Sequence, residues 1–133
     1  MNFGFRTLIL LFCVTGGTTI AAPISGTDAN RNGVRDDVEE TLMQAASSWM
    51  KRPSATDFGQ LIDVVKLIQP EDVPRAIDMH KFYCGYRGLP ASIKDKVSAR
   101  MIITVVTDTP ERKKALARQA INTTGSLGAE VCE

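Results

Sequence analysis

A single histidine, three cysteines, one tryptophan and no glycine-rich phosphate loop leave this chain few of the side chains that usually carry chemistry. With one histidine and no closely spaced pair of cysteines, the motifs of a zinc site are absent, and no CxxCH run is present for covalent haem attachment. Neither a GxxxxGK[ST] stretch nor a GxSxG elbow occurs, which removes the sequence signs of a P-loop nucleotide site and of an α/β-hydrolase serine. Long apolar runs are missing too: the stretch from Thr7 to Val14 falls well short of the roughly 20 residues that span a bilayer. The formal net charge is only +1, so no excess of basic charge points to nucleic acid.

What is present begins with an export pattern. MNFGFR carries one basic residue, the apolar stretch follows, and TGGTTIAA supplies small residues. Residues 1–21 therefore read as a cleavable secretory signal. Cleavage after Ala21 would place Thr19 and Ala21 at the small-residue positions and avoid a proline directly after the cut, so the mature chain is expected to begin at Ala22 and to be periplasmic or secreted. An uncleaved anchor is the alternative, opposed by the short apolar core. A lipoprotein signal at Cys13 would need a small residue where Phe12 stands.

Export leaves Cys84 and Cys132 in an oxidising compartment, where two thiols most simply form one disulfide; an intermolecular bridge or free thiols are the alternatives. The bridge would enclose nearly fifty residues, worth about 4 kcal/mol in the chain-entropy model, and would tie the C-terminal tail to the domain. Charge is unevenly spread. From Ala22 to His80 acidic residues outnumber basic ones by ten to six, whereas Lys81–Arg118 carries nine basic and three acidic residues. That basic half, 81–118, could meet an acidic protein partner or anionic lipid headgroups, or it could be a solvated face, since no basic run exceeds Arg112-Lys113-Lys114.

Residues 22–133 suit one small helical domain. Val38, Leu42, Ala45, Ala46 and Trp49 recur at helical spacing, predicting a first helix over 36–52 that stops before Pro53. Thr56 can cap a second, with Phe58, Leu61, Ile62, Val65 and Ile68 as its stripe and Pro70 beyond its end. Asp72 and Pro74 open a third, through Ala76, Met79 and Tyr83 to Gly85 or Gly88. Pro90 and Ser92 open a fourth, in which Ile93, Val97, Met101, Ile102 and Val105 keep helical intervals although Ile102–Val106 is β-branched. Thr109-Pro110-Glu111 starts a fifth. The expected fold class is all-α: a small bundle of about five helices preceded by a cation-binding loop.

That loop is DANRNGVRDDVE, residues 28–39. Calcium takes six to eight oxygens, and a twelve-residue loop can present them from alternate positions around one tight turn. Asp28, Asn30, Asn32 and Asp36 stand at positions 1, 3, 5 and 9, the last a place where a ligand often acts through water. Val34 at position 7 would offer its carbonyl and Glu39 at position 12 both carboxylate oxygens, while Gly33 sits at the reversal. Over these twelve residues the chain resembles the calcium loop of EF-hands. The preceding PISGT is not helical and no second loop exists, so the likeness is to single, dockerin-like extracellular loops rather than to a switch that opens a groove. Arg35 also occupies position 8, where an EF-hand usually carries an aliphatic residue. The wider pattern of signal, loop, helical body, TPER and terminal cysteine resembles a group of exported bacterial proteins to which no activity is attached.

A metal-free reading competes with calcium, in which Asn30 and Asn32 form Asx-turns and Asp36, Asp37, Glu39 and Glu40 simply favour the positive end of the first helix. Only Asp28, Asp36 and Glu39 would bring charge to a cation, partly offset by Arg31 and Arg35, so weak extracellular affinity of about 10⁻⁴ to 10⁻³ M is expected, with the ion structural and magnesium a poorer fit. His80 and Cys84 share a helix face, but a disulfide cysteine is no nucleophile. Trp49, Phe82, Tyr83 and Tyr86 could form a ligand patch, although aromatic residues at helical spacing usually fill a core. The functional expectation is an exported calcium-binding module that meets a protein partner in the cell envelope. The alternative is a small extracytoplasmic hydrolase or transferase whose site is dispersed, with Asp, Glu and His80 as its candidates.

Overall fold

In the structure, a computed structural model, residues 23–48, 51–121, 123 and 132 are described. The signal reading of 1–21, the start at Ala22, Cys13 and Trp49 lie outside them. Among the described residues six helices form: α1 Asp36–Ala46, α2 Ala55–Lys66, α3 Met79–Arg87, α4 Ala91–Lys94, α5 Ala99–Val106 and α6 Pro110–Gln119, with two-residue strands β1 Ile77–Asp78 and β2 Ala120–Ile121. The protein is mostly helical, as the apolar stripes require. None of the helices described is long and apolar enough to cross a membrane.

The helix ends follow local capping chemistry more closely than the stripes suggest. α1 stops at Ala46 instead of running to Arg52, because Ser47 turns to extended backbone and Ser48 pairs with Lys51 in an isolated bridge. Ser54, not Thr56, caps α2 by accepting the Asp57 N–H at 3.0 Å. Asp72 does not start α3; its carboxylate is drawn to the backbone of Ile24 and Ser25, and Asp78 caps the helix by accepting the Lys81 N–H. Gly88, rather than Gly85, stands at the C-terminal end of α3.

The fourth segment divides into α4 and α5 at Val97. In an unbroken helix the Val97 carbonyl would accept the Met101 N–H. Here that carbonyl accepts the Tyr86 hydroxyl at 3.1 Å, and the Met101 N–H goes to the Ser98 side chain instead. Ile102–Val106 is helical, and Thr109 caps α6 as its TPER start predicts. The strands are a tertiary product: Ile77 pairs in parallel with Ala120, and Asp78 with Ile121.

α2 lies at the centre, packed on α1, α3 and α4, while α1 also packs on α5. Val38 and Leu42 from α1, Leu61 and Val65 from α2, Phe82 from α3, Ile93 from α4 and Ile102 from α5 are fully buried in one cluster. Phe82 stacks at a tilt on Tyr83, ring centres 5.1 Å apart, and Tyr83 and Tyr86 pack against the cluster, so these aromatics serve the core. Cys84 and Cys132 form a disulfide within the chain, fastening the end of the sequence to α3.

Burial sets the expected energetics. Leu61→Ala removes a fully buried side chain and should cost about 2–5 kcal/mol in denaturant melts. Gly59, two residues earlier on α2, has open space where a Cβ would stand, so Gly59→Ala should instead raise stability by about 0.5–1 kcal/mol.

Candidate metal centre

The loop begins by folding around its first carboxylate. Asp28 accepts the Asn32 N–H at 3.1 Å on one oxygen and the Gly33 N–H at 2.8 Å on the other. Asn30 Oδ1 accepts the Asn32 N–H at 3.1 Å and Asn32 Oδ1 accepts the Val34 N–H at 2.9 Å, two successive Asx-turns that hold both amides on the inside of the curve. Gly33 makes the reversal at φ +88°, and Arg31 is also left-handed at φ 57°. A side chain at that conformation costs about 1–2 kcal/mol, which these hydrogen bonds offset.

The far end closes back on the near end. Glu39 turns toward the loop, accepting Asn30 Nδ2 at 2.9 Å on one oxygen and Asn32 Nδ2 on the other. Asp36 reaches Ala29, its two oxygens each 3.2 Å from that N–H, while its own N–H donates to the Thr27 carbonyl at 2.9 Å. Val34 faces the other way: its side chain is fully buried beside Val38, anchoring position 7 in the core. Asp28, Asn30, Asn32 and Glu39 are thus tied into one hydrogen-bonded cluster, with Asp36 and Val34 bracing its end. Among the described residues no three His, Cys, Asp or Glu side chains meet at one point. The loop's oxygens come instead from a mixture of carboxylates, amides and a carbonyl.

Arg35, within the loop sequence, is 1% exposed, and its nitrogens are taken by groups outside the ligand positions. Nε and Nη2 form a fork on Asp37 at 2.8 and 2.6 Å, Nη2 also lies 3.2 Å from Asp108, and Nη1 donates to the Val106 carbonyl at 3.3 Å. Burial would push the guanidinium pKa down, but the Asp37 hydrogen bond and the charges of Asp37 and Asp108 outweigh it and leave the pKa raised. The Arg35 hydrogen bond in turn holds the Asp37 pKa below its ordinary value against the opposing effect of burial. Arg35 at position 8, where an aliphatic residue usually packs, marks a departure in the sequence, but Asp108 and the Val106 carbonyl lie more than seventy residues away and only folding brings them to it.

The segment before the loop lies over Arg35. Gly26 has φ +66°, and a Cβ there would come within 2.6 Å of the Arg35 side chain, so both the turn and the close approach need glycine. Asp72 accepts the Ile24 N–H at 2.7 Å and is further held by the Ser25 hydroxyl, which keeps its carboxyl below the usual pKa. Arg112 donates to the Ile24 carbonyl at 2.9 Å and pairs with Asp108. A cleft of 450 Å³ runs between this segment and the α2–α3 connection, bounded by Asp28, Gly33, Gln69 and Asp72. The Gln69 amide, 3% exposed, has no hydrogen-bond partner among the described groups.

Comparison with protein-family models, with curated proteins and with solved structures returned no match. The fold and the loop therefore rest on their own geometry.

The depressed Asp37 pKa gives a signed expectation. Its ionised form stabilises the fold fully above the unfolded value of about 3.9, and that contribution is lost as pH falls through the lower folded value. Asp37→Asn should therefore lower the melting temperature near neutral pH, and the gap to the parent protein should close as pH drops below about 4. Asp72, an exposed carboxylate, should act in the same direction and more weakly.

Proposed function

We propose that residues 28–39 hold one calcium ion and that the ion is structural. It would lock the chain's entry segment onto α1 in an exported helical protein that works by contact with a partner. The reading is supported chiefly by one observation: Asp28 binds the N–H groups of Asn32 and Gly33 inside the loop while Glu39 folds back onto Asn30 and Asn32. A plain helix cap explains neither. The N-cap residue of α1 is Arg35, which makes no side-chain capping bond, and Asp28 and Glu39 are engaged with the loop instead.

The donors fit the cation. Asp28, Asn30, Asn32 and Glu39 side-chain oxygens with the Val34 carbonyl are hard oxygens at the alternate spacing calcium uses, and Asp36 suits a ligand acting through water. Carboxylate and amide oxygens each carry a second lone pair beyond the one engaged by a backbone N–H. The two asparagine amides that now neutralise Glu39 would yield it to a divalent charge. Arg35 is paired with Asp37 and Asp108, while Arg31 within the loop and Lys66, whose side chain lies against Gly33, bring basic charge that weakens the site, so affinity belongs in the weak extracellular range.

Partner binding rests on the basic half. Lys96 donates to the Ala46 carbonyl at the end of α1, Lys94 to Arg87, and Arg112 to the N-terminal segment. These three bind the protein together, and the exposed Lys81, Arg100, Lys113, Lys114 and Arg118 are the basic side chains an acidic partner or a lipid headgroup would meet. A hydrolase or transferase would call for a pocket around a perturbed carboxylate or His80. The 450 Å³ cleft is bounded by one such carboxylate, Asp72, whose pKa is lowered by the Ser25 hydroxyl and the Ile24 N–H, and neither that cleft nor the 780 Å³ groove along the C-terminal end of α1 is lined by His80.

Calcium titrated into chelator-treated protein should give one-site binding with Kd of about 10⁻⁴ to 10⁻³ M. At ten times Kd the ion should stabilise the fold by about 1.4 kcal/mol, visible as a raised melting temperature. Asp28→Ala should abolish both the heat and the shift. Equal melts with and without about 10 mM calcium would leave the loop as a self-bonded turn and sink the metal reading.

A further inference from the structure

We propose that the Cys84–Cys132 bridge is a thiol-exchange site as well as a staple, with Cys132 the sulfur attacked and Cys84 the sulfur that leaves. The two sulfurs differ in access. Cys132 is exposed, whereas Cys84 is half-buried on α3. Each has a side-chain nitrogen beside it. His80 Nε2 lies 3.6 Å from Cys84 Sγ, one helical turn away on the same face, and Arg87 Nη1 lies 3.9 Å from Cys132 Sγ. Either nitrogen can stabilise a thiolate when it carries a proton, so both sulfurs can depart and it is access that selects Cys132 as the sulfur attacked.

The chemistry balances with an external thiol as reductant. A thiolate RS⁻ attacks Cys132 Sγ, forming an RS–S bond to Cys132. The Cys84–Cys132 bond breaks and its electron pair passes to Cys84 Sγ, where the thiolate can accept a hydrogen bond from His80. A second RS⁻ then attacks the external sulfur of the mixed disulfide, releasing Cys132 as a thiolate beside Arg87. Two external thiols are oxidised to RSSR and the protein disulfide is reduced to a dithiol, two electrons on each side. The substrate class is thus a small or peptide-borne thiol; run backwards, the same steps let the protein dithiol reduce an external disulfide while the Cys84–Cys132 bond re-forms. Freed of the bridge, the C-terminal tail would lose its covalent tie to α3.

The test exposes oxidised, full-length folded chain to glutathione near pH 7, quenches with an alkylating reagent and locates the adduct by mass spectrometry. The expected adduct is on Cys132, and His80→Ala should slow exchange by about three- to tenfold while His80→Gln, which keeps an N–H donor, recovers part of the rate. Melting temperatures of the oxidised variants separate lost folding from lost chemistry. In the reduced Cys132→Ser chain, alkylation of Cys84 should fall likewise when His80 becomes alanine. Leu61→Ala supplies the control: exchange from the native state should not accelerate in step with its lost stability. An adduct on Cys84, a His80→Ala rate equal to the parent's, or exchange that tracks Leu61→Ala destabilisation would each overturn the proposal.

Discussion

The buried guanidinium of Arg35 is the contact on which the arrangement of the loop depends. It follows the loop's turn directly, precedes α1, and joins Asp37, Asp108 and the last carbonyl of α5. α5 has no basic residue in its own last turn, so Arg35 supplies the positive charge that the negative end of that helix favours. Removing water from a guanidinium is expensive, and only the fork onto Asp37 with the further acceptors makes the burial tolerable. Asp37 is local to Arg35, while the Val106 carbonyl and Asp108 come from the α5–α6 junction more than seventy residues away, so the guanidinium ties the loop to that distant part of the body.

Around that point the N-terminal segment and the loop form one continuous strap. Asp72 and Arg112 grip residues 23–25, Gly26 lets the chain pass over Arg35, and Asp36 fastens Ala29 to the start of α1. Asp108 is shared between Arg35 and Arg112, so the strap and the loop are coupled through a single carboxylate at the α5–α6 junction. A cation held by 28–39 would then act on the whole strap, because its ligands are the same groups that now bond to one another.

The basic half has a structural use as well as a surface one. α1 also lacks a basic residue in its last turn, and Lys96 reaches across fifty residues to its final carbonyl. Lys94 performs the same service for α3. Charge that looks like a recognition surface in the linear sequence is partly distributed to helix ends in three dimensions.

Much was legible from residue order. Apolar spacing marked the helical class and much of the core but not Val64, Ile77, Leu89 or Val106, TPER marked the start of α6, and the alternation of Asp28, Asn30, Asn32 and Asp36 with Gly33 marked a loop that the structure shows bonded on itself. These signals are local: a stripe, a cap or a tight turn is set by residues within one or two turns of each other. What local order could not show is where competing partners lie far along the chain. Asp72 looks like a cap until Ile24 and Ser25 are beside it, Val97 sits mid-helix until Tyr86 takes its carbonyl, and Arg35 looks like a surface charge until Asp37 and Asp108 enclose it. The sequence by itself determined the helices and the loop's inventory of oxygens. Only the tertiary structure decided which polar groups those distant partners would claim, because a hydrogen bond goes to whichever acceptor folding brings within reach.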